Sequence, residues 1–139
     1  MPDAIECSPE LGVHGDRWLG GERSTTDNQI SLINVHVIDS LAKRDPARAA
    51  LAGDNLHVDL DLSEENLPVG ARLHVGTAVL EVTALPHRPC RHFVAHFGLN
   101  AAKKIARANR LGLRGRGVLC RIVQTGRIES GDSIHVQRP

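Results

Sequence analysis

Aromatic side chains are nearly missing from this 139-residue chain, which has Trp18, Phe93 and Phe97 and no tyrosine. Its interior must therefore be built from Val, Leu, Ile and Ala. A base-stacking platform for single-stranded nucleic acid has too few rings to form, so nucleic acid is not the expected partner. No apolar run approaches the ~18–20 residues that a membrane-spanning helix needs, and no membrane is expected. The opening stretch Met1 to Glu6 lacks the basic and apolar regions of a secretory signal, so the expected location is the cytoplasm. Cysteine is scarce: Cys7, Cys90 and Cys120 are odd in number and widely spaced, which excludes a disulfide framework. Hydrophobic residues at 41% argue against disorder, and the length suits one core rather than two.

Acid is missing from one long stretch. From Val82 to Ile128 there is no Asp or Glu, whereas ten of the 17 Lys and Arg lie there. The remainder of the chain carries all 16 acids, so the net charge of +1 conceals a segregation. Such an asymmetry suits a surface that attracts anions, or a solvated basic face balanced by acidic loops.

Inside that stretch lies Pro86-His87-Arg88-Pro89-Cys90-Arg91-His92-Phe93. It follows the apolar run Ala78 to Leu85, and its two prolines force the chain out of any sheet. Arg88 and Arg91 flank Cys90, with His87 and His92 just outside. Neighbouring cations favour the thiolate, the form of cysteine that attacks or binds metal. Cys90 is thus the candidate chemical centre. Cys120, inside an apolar run, reads as a core residue, and Cys7, in a polar lead-in, as incidental. His87, Cys90, His92 and His96 are chemically suited to zinc, but their spacing matches no strong structural-zinc pattern.

In chain order, residues 1–29 read as a loop-rich lead-in in which His14 and Asp16 close turns or hold a ligand. Residues 30–38 read as a strand. Asp39 or Ser40 caps a helix reaching Leu51, split by Pro46 and stopped by Gly53. Asp54-Asn55 reads as a turn, and Leu56 to Leu62 alternates as a half-buried strand. Ala71 to Val75 and Ala78 to Leu85 read as a hairpin turning at Gly76-Thr77. Phe93 and Phe97 anchor the far side of the cysteine loop. Asn100 caps a helix to Arg110, with Lys103, Arg107 and Arg110 on one face. Strands follow at 118–123, around Ile128, and at 133–136. Short strands with glycine turns and one or two helices indicate a mostly β, compact, barrel-like domain over residues 30–138.

Several of these segments resemble the MOSC domain family, named for the C-terminal domain of molybdenum-cofactor sulfurases. The matching pieces are Gly53-Asp54-Asn55-Leu56, Leu67-Pro68-Val69-Gly70-Ala71-Arg72-Leu73 with Gly76, and Val79-Leu80-Glu81-Val82-Thr83 leading to Pro89-Cys90. Arg114-Gly115, Gly126-Arg127-Ile128 and Gly131-Asp132 complete the order. The resemblance implies a β-barrel-like fold and a stand-alone protein that binds molybdenum cofactor (molybdopterin) or carries sulfur. It implies Cys90 as catalytic residue and metal ligand, and Arg88, Arg91, His92, Lys103, Arg114 and Gly115 as contacts of the anionic pterin. A sulfur donor or redox partner protein is implied as well. The activity would lie in sulfuration or in reduction of N-hydroxylated compounds, and pyridoxal phosphate is not expected on this domain. The alternative is a non-catalytic module that keeps the fold for interaction or regulation.

Overall fold

The structure is a computed structural model that describes residues 3–15 and 25–139. The turn-closing or ligand-holding role expected of Asp16 lies outside these residues. In chain order the strands are β1 (Ala4–Ser8), β2 (Gly12–Val13), β3 (Ile30–Asn34), β4 (Leu56–Val58), β5 (Arg72–Val75), β6 (Ala78–Val82), β7 (Val118–Gln124), β8 (Gly126–Glu129) and β9 (Ile134–Gln137). The helices are α1 (Val35–Leu41), α2 (Pro46–Ala50), α3 (Arg91–Phe97) and α4 (Leu99–Arg110). The chain is mostly β with few short helices, as its pattern of short strands and glycine turns indicates. It divides into two compact units, one of Met1–Ile30, Leu67–Leu85 and Leu119–Pro139, the other of Ser31–Asn66 and Pro86–Val118.

The first unit is antiparallel. β5 and β6 form the expected hairpin, with Leu73 opposite Leu80, and β6 pairs with β7 so that Leu80 faces Ile122 and Val82 faces Cys120. These five residues are buried, and Cys120 is fully so. Alternation places Arg72, Glu81 and Arg121 on the other face, where Glu81 takes an ion pair from each arginine. β9 pairs with β5. The hairpin turn sits tightly on the β7–β8 corner: Thr77 N donates to Arg127 O at 3.1 Å, and Arg127 N donates to Thr77 Oγ1 at 2.9 Å. Only glycine fits there, because a Cβ on Gly76 would lie 2.1 Å from Arg127 O.

The lead-in is more regular than the sequence suggests. β1 pairs antiparallel with β8 and with β2, and Cys7, at 1% exposure, is a core residue rather than an incidental one. Glycine and polar residues hid this strand, whose apolar side chains are few. His14 bonds Ser8 through Nε2 at 3.0 Å.

The second unit holds the parallel pair β3–β4, with Leu32 opposite Leu56, joined by α1 and α2. The expected strand over 30–38 stops at Asn34. Its side-chain oxygen accepts from His36 N at 2.9 Å and Val37 N at 3.1 Å, an N-cap that turns a segment with the β-branched Val35, Val37 and Ile38 into helix. Asp39 and Ser40 therefore lie within α1 instead of capping it. Pro46 does divide the segment, with Asp45 capping α2 and Gly53 (φ 80°) following it. Strand pairing in the Leu56–Leu62 run ends at Val58. In α4 the cap is Gly98 (φ 90°), not Asn100, which lies inside the helix. The core of this unit joins Ile33, Ile38, Ala42 and Ala49 to Phe93, Phe97, Ala102 and Ile105. The two phenylalanine rings stand 4.9 Å apart, one helical turn from each other.

Candidate functional site

Leaving β6, the chain runs without regular structure to Cys90, which begins α3 in extended backbone (φ −100°, ψ 177°). The Cys90 carbonyl accepts from Val94 N at 3.1 Å and starts the helix, and its side chain makes no capping bond. The thiol is exposed, whereas Cys7 and Cys120 are buried, and the three cysteines form no disulfide.

The loop is held by what lies on either side of the thiol. His87 is largely buried, and its carbonyl accepts from Asn109 Nδ2 of α4 at 3.0 Å. Its Nδ1 faces Asp54 Oδ1 at 3.9 Å. Asp54 is fully buried at its carboxylate and accepts from Arg116 Nη1 at 2.7 Å. Arg116 Nη2 donates to Ala52 O at 2.9 Å, and the guanidinium carbon lies 5.1 Å from the Phe93 ring centroid. Arg116 thus ties together the turn after α2, the loop before Cys90 and the helix after it. Burial, with the Arg116 charge added, brings the His87 pKa down to about 3, so the ring is neutral near pH 7. Burial likewise pushes the Asp54 carboxyl up, against the pull of Arg116. Asp54 Oδ1, His87 Nδ1 and Arg116 Nε have no hydrogen-bond partner among the described residues.

Asp54, Arg116 and Asn109 are the residues that sequence reasoning missed as parts of this site. Asp54 was legible as a turn residue within a family-like segment, and Arg116 only as one of ten cations. The signal was a Gly-Asp-Asn turn and an Arg-Gly-Arg-Gly segment in one domain, and nothing in sequence joins positions 62 apart.

All the other candidate residues fall in the same unit. Arg88, Arg91, His92 and Lys103 are exposed. Arg114 is half-buried at φ 50°, and its Nη1 donates to Leu62 O at 3.2 Å, so its guanidinium already serves the backbone. Gly115 is explained by packing: a Cβ there would lie 2.9 Å from the Ala108 Cβ.

The acid-free stretch divides in two. Arg116, Arg121 and Arg127 are ion-paired to acids elsewhere in the chain. Arg88, Arg91, Lys103, Lys104, Arg107 and Arg110 are exposed, with no ion pair among the described residues. An exposed thiol therefore shares a unit with six unneutralised cations, a donor set suited to a soft metal or sulfur and to a nearby anion. Among the described residues no three or more His, Cys, Asp or Glu stand together as a metal-holding group. His87 faces the buried Asp54–Arg116 pair, so it does not assemble with the exposed Cys90 and His92 into a zinc set.

The sequence model of the MOSC domain matches residues 12–135. The chain belongs to the MOSC domain family. Solved structures with the same fold include YiiM from Escherichia coli (TM-score 0.64, 19% identity), covering 100% of this chain and 64% of that one. The YuaD protein of Bacillus subtilis matches at TM-score 0.62 and 19% identity, over 99% of this chain and 86% of that one. A hypothetical protein matches at TM-score 0.61 and 20% identity, over 98% and 61%. This MOSC chain thus spans less than two thirds of the length of two of these structures. No curated protein sequence matches it. Among the described residues no helix is long and apolar enough to cross a membrane.

Proposed function

We propose that this MOSC protein uses Cys90 as its functional thiol, either as a soft ligand to pterin-bound molybdenum or as a carrier of sulfur. The observation that supports this is that Cys90 is the one exposed cysteine, set at the end of an anchored loop in a unit with six exposed cations that have no ion pair among the described residues. Fit to the cofactor rests on chemistry: a thiolate suits molybdenum, and Arg88, Arg91, His92 and Lys103 are exposed donors for an anionic pterin. Arg114 and Gly115 fit less well as pterin contacts, being occupied by backbone bonding and helix packing.

Exposure of the thiol also favours the carrier reading. There the Cys90 thiolate would attack the outer sulfur of a donor persulfide. A new S–S bond would form on Cys90, and the donor would depart as its own thiolate. The alternative is a non-catalytic module that keeps the MOSC fold for interaction or regulation, in which the exposed Cys90 thiol has no chemical role.

Reconstitution separates these readings. Wild-type protein and Cys90→Ser are mixed with molybdenum cofactor, gel-filtered, and assayed for retained molybdenum and pterin. A parallel pair is incubated with a persulfide donor and weighed intact. The proposal expects wild type to retain cofactor or gain one sulfur, and Cys90→Ser to do neither while staying folded. Equal retention and equal mass gain in both would reject the role of Cys90.

A further inference from the structure

Among the described residues three non-glycine residues hold positive φ, and all are basic: Lys43 (52°), Arg44 (62°) and Arg114 (50°). Such backbone is disfavoured for any residue with a Cβ. Lys43 and Arg44 follow α1, whose cap is Ala42. Lys43 N donates to Ser40 O at 3.3 Å and Arg44 N to Asp39 O at 2.8 Å, the paired bonds of a Schellman ending. The first residue past the cap in that ending is usually glycine. This chain follows the rule elsewhere, with Gly112 (φ 76°) after the Leu111 cap of α4 and Gly53 (φ 80°) soon after α2. At α1 it places lysine there instead and continues with arginine in the same conformation. A helix C-terminus does favour cations, but that preference is met from any backbone conformation.

The exception coincides with an open depression of about 470 Å³, lined by the exposed side chains of His36, Asp39, Ser40, Lys43 and Arg44. Neither Lys43 nor Arg44 has an ion pair among the described residues. Two cations on this strained backbone, without an ion pair among the described residues, thus line one depression together with Ser40. Asp39 lies in the same depression as an acceptor, and His36 is held on Asp59 at 2.9 Å and forms a wall. A bare anion would meet Asp39 unfavourably, whereas a phosphate bearing hydroxyl groups would give that carboxylate a donor.

We infer that the α1–α2 corner binds a small phosphate monoester of a polyol, with Lys43 and Arg44 on the phosphate and Asp39 on a hydroxyl. This site stands apart from the proposed role of Cys90 and does not rest on it.

The test is an amide chemical-shift titration of wild type, Lys43→Gly, Arg44→Gly, Asp39→Asn and Cys90→Ser with orthophosphate and with glycerol 3-phosphate. Melting temperatures are recorded for each. Wild type should show saturable shifts over residues 36–44 with both probes, and tighter binding of glycerol 3-phosphate. Lys43→Gly should melt roughly 2–4 °C higher, since glycine relieves the strain. Its affinity, like that of Arg44→Gly, should fall about tenfold. Asp39→Asn should bind orthophosphate more tightly and lose the preference for the glycerol ester. Cys90→Ser should bind as wild type does. Absent or non-saturable shifts at 36–44, shifts confined to α4, or a Lys43→Gly that binds normally would overturn the inference. So would a Lys43→Gly that is not stabilised.

Discussion

Arg116 reaches the Asp54 carboxylate at 2.7 Å with both side chains buried, and its guanidinium covers Phe93, three residues beyond Cys90. His87, three residues before Cys90, packs against the same pair. The thiol is thus exposed, but the loop that carries it is anchored on both sides by one internal ion pair.

Removing one partner of a buried pair leaves the other uncompensated. Arg116→Met should therefore destabilise the protein by about 3–5 kcal/mol, read as a lower urea midpoint. Asp54→Leu combined with Arg116→Met should recover most of that loss, because no charge then remains buried. A double variant as unstable as the single one would show that the polar geometry, not the charge, holds the loop.

His87 gives a pH signature. Its folded pKa of about 3 lies below the 6.5 of a free histidine side chain, so between these values the unfolded chain binds the extra proton. Stability from this group is present above pH 6.5 and is lost as pH falls. The loss should reach about 2 kcal/mol by pH 5. Asp54 works in the opposite sense, since its carboxyl is pushed up and favours the folded state as acid is added. Urea unfolding at pH 5 and pH 7 should therefore show a drop in wild type that is abolished or reversed in His87→Gln.

Thiol titration checks the placement of the cysteines. With Cys7 at 1% and Cys120 at 0% exposure, a disulfide reagent should modify one thiol in the native protein and three after unfolding. Burial also pushes the Cys7 thiol up, further lowering its reactivity. Cys90→Ser should leave no fast-reacting thiol.

Two glycine substitutions separate strain from collision. Gly53→Ala changes only backbone preference, because its Cβ would point into open space, and should cost about 1 kcal/mol. Gly117→Ala adds a Cβ 1.9 Å from Leu32 O at φ 109°, and should cost roughly 3 kcal/mol or more. Comparable melting temperatures for the two would contradict the close approach of Gly117 to β3.

How much of this was legible in sequence depended on the range of the interaction. The β5–β6 hairpin, the split at Pro46 and the Phe93–Phe97 step follow from adjacent residues and were readable. The end of β3 was missed because Val35, Val37 and Ile38 favour strand, and a single bond set from Asn34 overrides them. β1 was missed because its register comes from β8, more than 100 residues away. Within the candidate site, Cys90 and its cations were visible as a cluster. The Asp54–Arg116 pair was not, since each residue read alone suits the surface.

The proposed role of Cys90 is decided by intact mass together with molybdenum and pterin content of wild type and Cys90→Ser, each purified from the protein's own host. Wild type should carry molybdenum with pterin, or one extra sulfur atom on Cys90, and the serine variant should carry neither. Wild type and variant alike in metal, pterin and mass would rule that role out.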